Sequence, residues 1–457
     1  MGVSLQLPEQ YDWTIFEVQC KNIKSLSGHS GLALVMGGPI IRPRPLYKNI
    51  SFTNAIPGWR DNMFDKDKHY QSQNIRWNEY SVRNTIQSII DDAVHSFNPN
   101  SSWHCHPMDD FCGSDFYMGS TGVFWAINYL EKVGAIETDF HIDMFLDAEL
   151  ESVRESFKES PHNKNSSYLF GDLPVLMLMH SMRKQNSLED AIYDSITVNN
   201  FEPVRELMWG TAGTMIAADF MAQSSEDKKW SEVFLLQAKR LLDDWQRVSG
   251  IGYLWSPELY GDTRKYLGPV HGFSGNLVPL IKGQRHLSES LYDGICIKAM
   301  EAVVNLASVD GQYANWSSDY KEGTDSKLNL VQHCHGAPGM ITALSKLPVN
   351  KNTEFDRLLA KGGELVWLAG PLKKGSNLCH GTSGNGYAFL KLFERSQHEL
   401  WLDRARIFAM DAIEQYEVSK KFYKQGRFSL WTGDVGLAVY LWDCLNAQAK
   451  FPTIDVF

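Results

Sequence analysis

The chain is short of four things, and each shortage excludes something. Cysteine is sparse and odd in number, seven in 457 residues. That is not the even, dense pattern of a secreted disulfide framework, and a reducing cytosol is the simpler setting. No apolar run reaches the roughly eighteen residues that suggest a membrane span. Basic charge is not in excess: 44 Lys and Arg stand against 54 Asp and Glu, a net charge of −10. With no basic block either, nucleic acid and anionic lipid are not expected as main partners. Strand-like alternation is nearly absent, so a β architecture is not expected. The opening MGVSLQLPEQYDW lacks the basic flank and apolar core of a secretory signal, and Gln6 stands where a myristoylation motif wants Ser or Thr. A cytoplasmic protein is expected.

What is present is a rhythm. Seven stretches carry a Gly, two residues, a second Gly and then an apolar run of about helix length. In chain order they begin MGSTG at Met118, FGDLP at Phe170, WGTAG at Trp209, HGFSG at His271, HGAPG at His335, HGTSG at His380 and TGDVG at Thr432. The leading glycines, 119, 171, 210, 272, 336, 381 and 433, are spaced by 52, 39, 62, 64, 45 and 52 residues. The second unit has Pro174 in the second Gly slot. Proline is tolerated in a first helical turn, so a helix start survives there.

Between the turns lie amphipathic segments. SVRNTIQSIIDDAVHSF places Val82, Ile86, Ile89, Ala93 and Phe97 at helical spacing, and WSEVFLLQAKRLLDDW and LWLDRARIFAMDAIEQY read the same way. Each unit is thus a partly polar helix, a loop, a glycine turn and a more apolar helix. One such pair cannot bury its own apolar face, so neighbours must stack. Apolar helices that are greasy nearly all round suit a closed ring better than an open solenoid, which needs polar caps. The expected fold is all-α: an α/α toroid of two concentric seven-helix barrels over residues 115–457, its glycine turns gathered at one end. Residues 1–114, with the Gly- and Pro-rich VMGGPIIRPRPLY at 35–47, read as an N-terminal extension packed on the ring. Most of the glycines need no role beyond helix packing.

Three units put a His directly before the leading Gly: His271, His335 and His380. Two of these put a Cys before that His: Cys334 and Cys379. If equivalent turns converge, two thiolates and an imidazole meet, and Zn²⁺ accepts S and N donors in a tetrahedron. Cys334, Cys379 and His380 are the natural ligand set, with His271 and His335 left as acid–base candidates. Three protein ligands leave a fourth position open, where a bound thiol or water would lose its proton more readily. A thiolate-rich shell favours a thiol substrate, though the ligands alone do not exclude a hydrolase. The plainer reading is buried small thiols beside hydrogen-bonded imidazoles. Two Cys-His-Gly turns in equivalent slots weigh against it. A further cluster, WHCHPMDDFC with His104, Cys105, His106 and Cys112, has no second half at zinc-finger spacing and reads as a polar surface loop.

Together HCHGAPGM, LKKGSNLCHGTSGNGYAFL, GPVHGFSGN and the tail AKFPTIDVF resemble the lanthionine synthetase C-like proteins, in particular their eukaryotic-type branch, over roughly residues 115–457. The resemblance implies the toroid, zinc on Cys334, Cys379 and His380, and a catalytic His271. It places Glu206, in RELMWGTAG, at the family's acidic position and Lys374 at a glutathione-contacting lysine. It implies addition of a thiol, from glutathione or a peptide cysteine, to dehydroalanine or dehydrobutyrine in a peptide or protein, for example one that was formerly phosphorylated. Within that chemistry His271 is the candidate acid for the α-carbon, His335 an acid–base or orienting group, and Glu206 a partner that fixes a His tautomer. This chain departs from the family in two places: His333 stands where the family has Trp, and Ile50, before SFTNAIP at 51–57, stands where it has Arg. The rival readings are a non-catalytic zinc- and glutathione-binding adaptor or redox sensor, and a peptide cyclase dedicated to one precursor.

Overall fold

Half of the helices start from one of the seven turns, and that start separates them from the other half. The computed structural model describes residues 63–158, 166–323 and 330–457; the stretches at 35–47 and 51–57 lie outside these. Among the described residues there are fourteen α-helices. The odd-numbered ones are α1 (Glu79–Ser96), α3 (Leu146–Ser156), α5 (Asn186–Asn199), α7 (Lys229–Asp243), α9 (Glu289–Leu306), α11 (Thr353–Ala369) and α13 (Glu399–Tyr423). Several carry side-chain caps of the ordinary kind: Asn78 accepts from Ser81 N, Ser288 from Leu291 N and Asn352 from Phe355 N. Each buries one stripe. In α1, Val82, Ile86, Ile89 and Ala93 are buried while Glu79 and Arg83 are exposed. Burying each Val or Ile contributes roughly 1.5–3 kcal/mol.

The even-numbered helices are α2 (Ser120–Lys132), α4 (Leu173–Arg183), α6 (Thr211–Ser224), α8 (Phe273–Lys282), α10 (Ala337–Leu344), α12 (Thr382–Ser396) and α14 (Asp434–Leu445). Six start at the leading glycine of a turn, and α4 starts at Asp172 with Pro174 in its first turn. None has a side-chain cap. Instead the incoming turn lies across the helix end, and its carbonyls accept the first N–H groups: Thr382, Ser383 and Gly384 donate to the carbonyls of Gly375, Ser376 and Asn377. That crossing explains the second glycine. A Cβ on Gly384 would sit 1.8 Å from the Leu378 carbonyl oxygen, and one on Gly339 would sit 2.0 Å from that of His333. Gly336 has φ +99° in addition. The glycines are there for close packing, as expected.

The even helices are buried almost all round; every residue of α10 is buried. They neighbour one another in order: α2 packs on α4 and α14, α6 on α8, α8 on α10, α10 on α12 and α12 on α14. The turns are stitched in the same order by backbone hydrogen bonds. Cys334 N donates to Cys379 O, Cys379 N to Trp431 O, Trp431 N to Tyr117 O, Tyr117 N to Leu169 O, Leu169 N to Met208 O, and Leu207 N to Val270 O. Gly268 closes the sequence of contacts, because its missing Cβ makes room for the Cys334 carbonyl. The odd helices lie against this set, α1 on α14, α5 on α4 and α6, α7 on α6, α11 on α10 and α13 on α12. Short antiparallel strand pairs, such as Gln246–Val248 with Gly252–Leu254, decorate the loops.

The residues before α1 also touch the turns. His69 Nδ1 donates to Gly370 O (3.0 Å), Tyr70 N to Pro371 O (2.7 Å), and Lys373 N to Lys68 O (2.9 Å). The segment 104–112 is largely a polar surface loop, with His104, Cys105 and Cys112 exposed and His106 buried. It holds no second metal cluster among the described residues; a Cys105–Cys112 disulfide closes it instead. That pairing was not expected from a sparse, odd cysteine count.

Candidate active site

The turn that precedes α10 delivers Cys334, and the turn that precedes α12 delivers Cys379 and His380. The donor atoms of these three residues lie within 4.8 Å of one another, close enough for one ion to reach them all. The chemistry of the set fits zinc. It offers two soft sulfurs and an imidazole, and all three side chains are held in a largely buried place. A hydrogen bond from Cys379 holds the Cys334 thiol below its ordinary pKa, while burial pushes Cys379 well above. Burial, with Lys374 and Arg427 adding to it, keeps His380 neutral, as a ligand must be. Asn377 fixes the turn, accepting from His380 N (3.1 Å) and donating to Lys374 O (3.2 Å).

Both sulfurs also accept hydrogen bonds from neighbours. Tyr117 Oη donates to Cys379 Sγ at 2.6 Å and Gln332 Nε2 to Cys334 Sγ at 2.9 Å. Both are contacts that a metal-bound thiolate would accept. Neither donor was found from the sequence. Tyr117 had a signal: counted back from the leading glycine, it occupies the same slot as Cys334 and Cys379. Gln332 had none beyond standing two residues before Cys334.

His271 comes from the turn before α8, and Glu206 from the loop before α6. Glu206 is fully buried and its carboxylate accepts from Met208 N (3.0 Å), from Trp209 N and from His271 Nδ1 (2.8 Å). His335 is buried too, and its pKa falls to about 3, chiefly by desolvation, with His271 and Lys374 opposing its charge further. It is therefore neutral at physiological pH and electrostatically coupled to His271. Lys374 reaches Gln332 Oε1 (3.4 Å). Burial lowers its pKa, and the two cysteines pull it back up.

An aromatic wall continues from the sulfurs. Trp431 stacks on Tyr117 with ring centroids 5.0 Å apart, Tyr117 lies 5.6 Å from Phe170, and Phe170 stacks on Trp209 at 4.6 Å. Trp209 Nε1 then donates to Tyr260 Oη (2.9 Å), whose ring lies edge-on to His271. His333, in the place of the family's Trp, is fully buried, stacks on Phe451 at 4.4 Å, and makes no hydrogen bond through either ring nitrogen among the described residues. It belongs to the core, not to the site.

The family model for the lanthionine synthetase C-like protein matches residues 110–456. The chain belongs to that family. Glutathione S-transferase LANCL1 of Danio rerio is 26% identical over 362 residues, covering 74% of this chain and 84% of the relative. LanC-like protein GCL1 of Arabidopsis thaliana is 27% identical over 261 residues, covering 55% of this chain and 58% of the relative. Among solved structures nisin cyclase is similar with a TM-score of 0.56 at 14% identity, covering 80% of this chain and 95% of the cyclase. At that identity the likeness concerns the fold alone, and with the helix-rich architecture it makes this lanthionine synthetase C-like chain an all-α toroid. Among the described residues no helix is long and apolar enough to cross a membrane.

Proposed function

We propose that this chain catalyses zinc-dependent addition of a thiol, glutathione or a peptide cysteine, to dehydroalanine or dehydrobutyrine residues of a peptide or protein. The observation that carries the reading is a two-sulfur, one-imidazole donor set at the turns, with a carboxylate-anchored histidine and a half-buried lysine from the same set of turns. The likeness to a relative named glutathione S-transferase supports the thiol, and the likeness to a cyclase supports the peptide. Cys334, Cys379 and His380 would hold zinc, which when bound lowers the pKa of a thiol at its open position.

The rest falls to the chain's own residues. The addition forms one C–S bond, breaks the C=C π bond and needs one proton at the α-carbon, so the thiol's proton and the product's proton balance. His271 is the group to carry it. Its Nδ1–H donates to Glu206, which leaves Nε2 as the basic nitrogen of the neutral ring and holds the ring in one orientation. An imidazole held this way can accept a proton and return it. His335, neutral and close enough to feel the charge of His271, offers a polar partner to the developing enolate without competing for the proton. Lys374 is the cation for a carboxylate of the thiol donor, of which glutathione has two.

The test is mass spectrometry of a dehydrobutyrine peptide incubated with the zinc-loaded protein and glutathione. A product heavier by one glutathione is expected. Glutathione binding with no adduct would overturn the enzymatic reading in favour of a binding protein.

A further inference from the structure

Thiol addition, the reading on which this inference rests, creates a chemical problem. The site would bring an electrophilic alkene to a place where the protein already has two sulfurs of its own. Cys334 and Cys379 can attack the same β-carbon as the incoming thiol. Their attack would form a C–S bond to the protein, break the C=C π bond, draw a proton from His271 or water onto the α-carbon and leave the enzyme alkylated.

The structure gives each of these sulfurs a hydrogen-bond donor. Tyr117 Oη is 2.6 Å from Cys379 Sγ, and Gln332 Nε2 is 2.9 Å from Cys334 Sγ. Both donors are 4% exposed. Neither is placed by accident of a loose side chain. Tyr117 is stacked on Trp431 and packed near Phe170, so its ring plane is fixed. The Gln332 amide is fixed by Lys374, whose ammonium can only donate: Oε1 must face Lys374 Nζ at 3.4 Å, and Nε2 is therefore turned to the sulfur. The two donors come from different parts of the ring, one from the turn before α2 and one from the turn before α10. No local motif supplies both.

We propose that Tyr117 and Gln332 are positioning residues that protect the ligand thiolates from the substrate alkene. A donor on sulfur withdraws charge from the lone pair that would attack, and hydrogen bonds to metal-bound sulfur are a general means of tuning such sites. It also weakens sulfur's donation to the metal, which leaves more positive charge to act on the incoming thiol. The protein's own sulfurs are quieted by the contact that sharpens the substrate's.

The experiment compares wild type, Tyr117→Phe and Gln332→Leu at matched metal content, without glutathione, using methyl 2-acetamidoacrylate as the alkene. Intact mass and peptide mapping follow alkylation. The expected result is an adduct at Cys379 in Tyr117→Phe and at Cys334 in Gln332→Leu, each forming at least about tenfold faster than in wild type, the scale of one hydrogen bond to a charged group. Cobalt-substituted protein supplies a readout that a packing role would not move: the sulfur-to-cobalt charge-transfer band should shift to lower energy in each variant. Unchanged alkylation overturns the protective role, whether or not the band moves. Should Tyr117→Phe not fold, Gln332→Leu decides the matter at Cys334. Wild type that holds neither zinc nor cobalt would overturn the metal reading itself, an outcome distinct from a metal-loaded wild type whose variants behave identically.

Discussion

Replacing Glu206 by Gln should cost far more in rate than in stability, and the structure says why. The carboxylate accepts three hydrogen bonds through two oxygens, Trp209 N on Oε1, and Met208 N and His271 Nδ1 on Oε2. An amide has one oxygen and an NH₂ in that space. If its oxygen takes the Oε2 place, the NH₂ points at the Trp209 N–H. If its oxygen takes the Oε1 place, the NH₂ points at the Met208 N–H and donates to His271 Nδ1, which moves the ring's own proton to Nε2. Either way one buried N–H loses its acceptor, which costs about 1–3 kcal/mol. For a chain of 457 residues that is a Tm drop of only about 1–3 °C. The effect on chemistry is larger, because the carboxylate that anchors His271 is gone, and in one arrangement the ring is in the wrong tautomer. Loss of a properly held acid–base group costs about 10²–10⁴ in rate. The assay is single-turnover addition of glutathione to a dehydrobutyrine peptide at equal zinc content, beside a thermal melt. A rate within about threefold of wild type would refute the coupling of Glu206 to the chemistry. A Tm loss of tens of degrees would show that the carboxylate serves the fold first.

Other outcomes stem from the same geometry. Cys379→Ala and Cys334→Ala should each lose most bound zinc by metal analysis, and full occupancy in either would remove that residue from the ligand set. His271→Ala should keep zinc and the fold yet lose about 10²–10⁴ in single-turnover addition; equal rates would take it out of the mechanism. Gly384→Ala should fail to fold or lose its metal, since the new methyl meets the Leu378 carbonyl. Gly294→Ala, in α9 with nothing within 4 Å, should instead stabilise by about 0.5–1 kcal/mol in urea unfolding. Burial lowers His69 from 6.5 to about 4. Its neutral form is therefore favoured in the folded state, and its contribution is complete above pH 6.5 and lost as pH falls through 4. His69→Gln should remove on the order of 3 kcal/mol from the fall in unfolding free energy across that window, and an unchanged fall would show that His69 is charged in the native state.

The sequence carried the rhythm and the Cys334, Cys379 and His380 cluster because both are local. A glycine two residues past a Cys is fixed by the turn in which both stand, and the same turn recurs wherever an inner helix must start beneath a crossing strand of backbone. Pro174 in place of a glycine was legible for the same reason, and α4 starts there. Cys334, Cys379 and His380 could be picked out because two turns repeat one slot, and slots repeat only if the units are equivalent in space. What the sequence could not fix is which slots face each other once the ring is closed. Tyr117 and Cys379 are 262 residues apart and Glu206 and His271 are 65 apart; their contacts depend on the turn-to-turn hydrogen bonds that set the register of the whole ring. The Cys105–Cys112 pairing rests on a loop path that no spacing rule specifies. His333 shows the limit from the other side: one residue from Cys334, it points into the core against Phe451. A helical pattern states which face is buried, but the direction of a side chain in a tight turn is decided by what the neighbouring turns leave open.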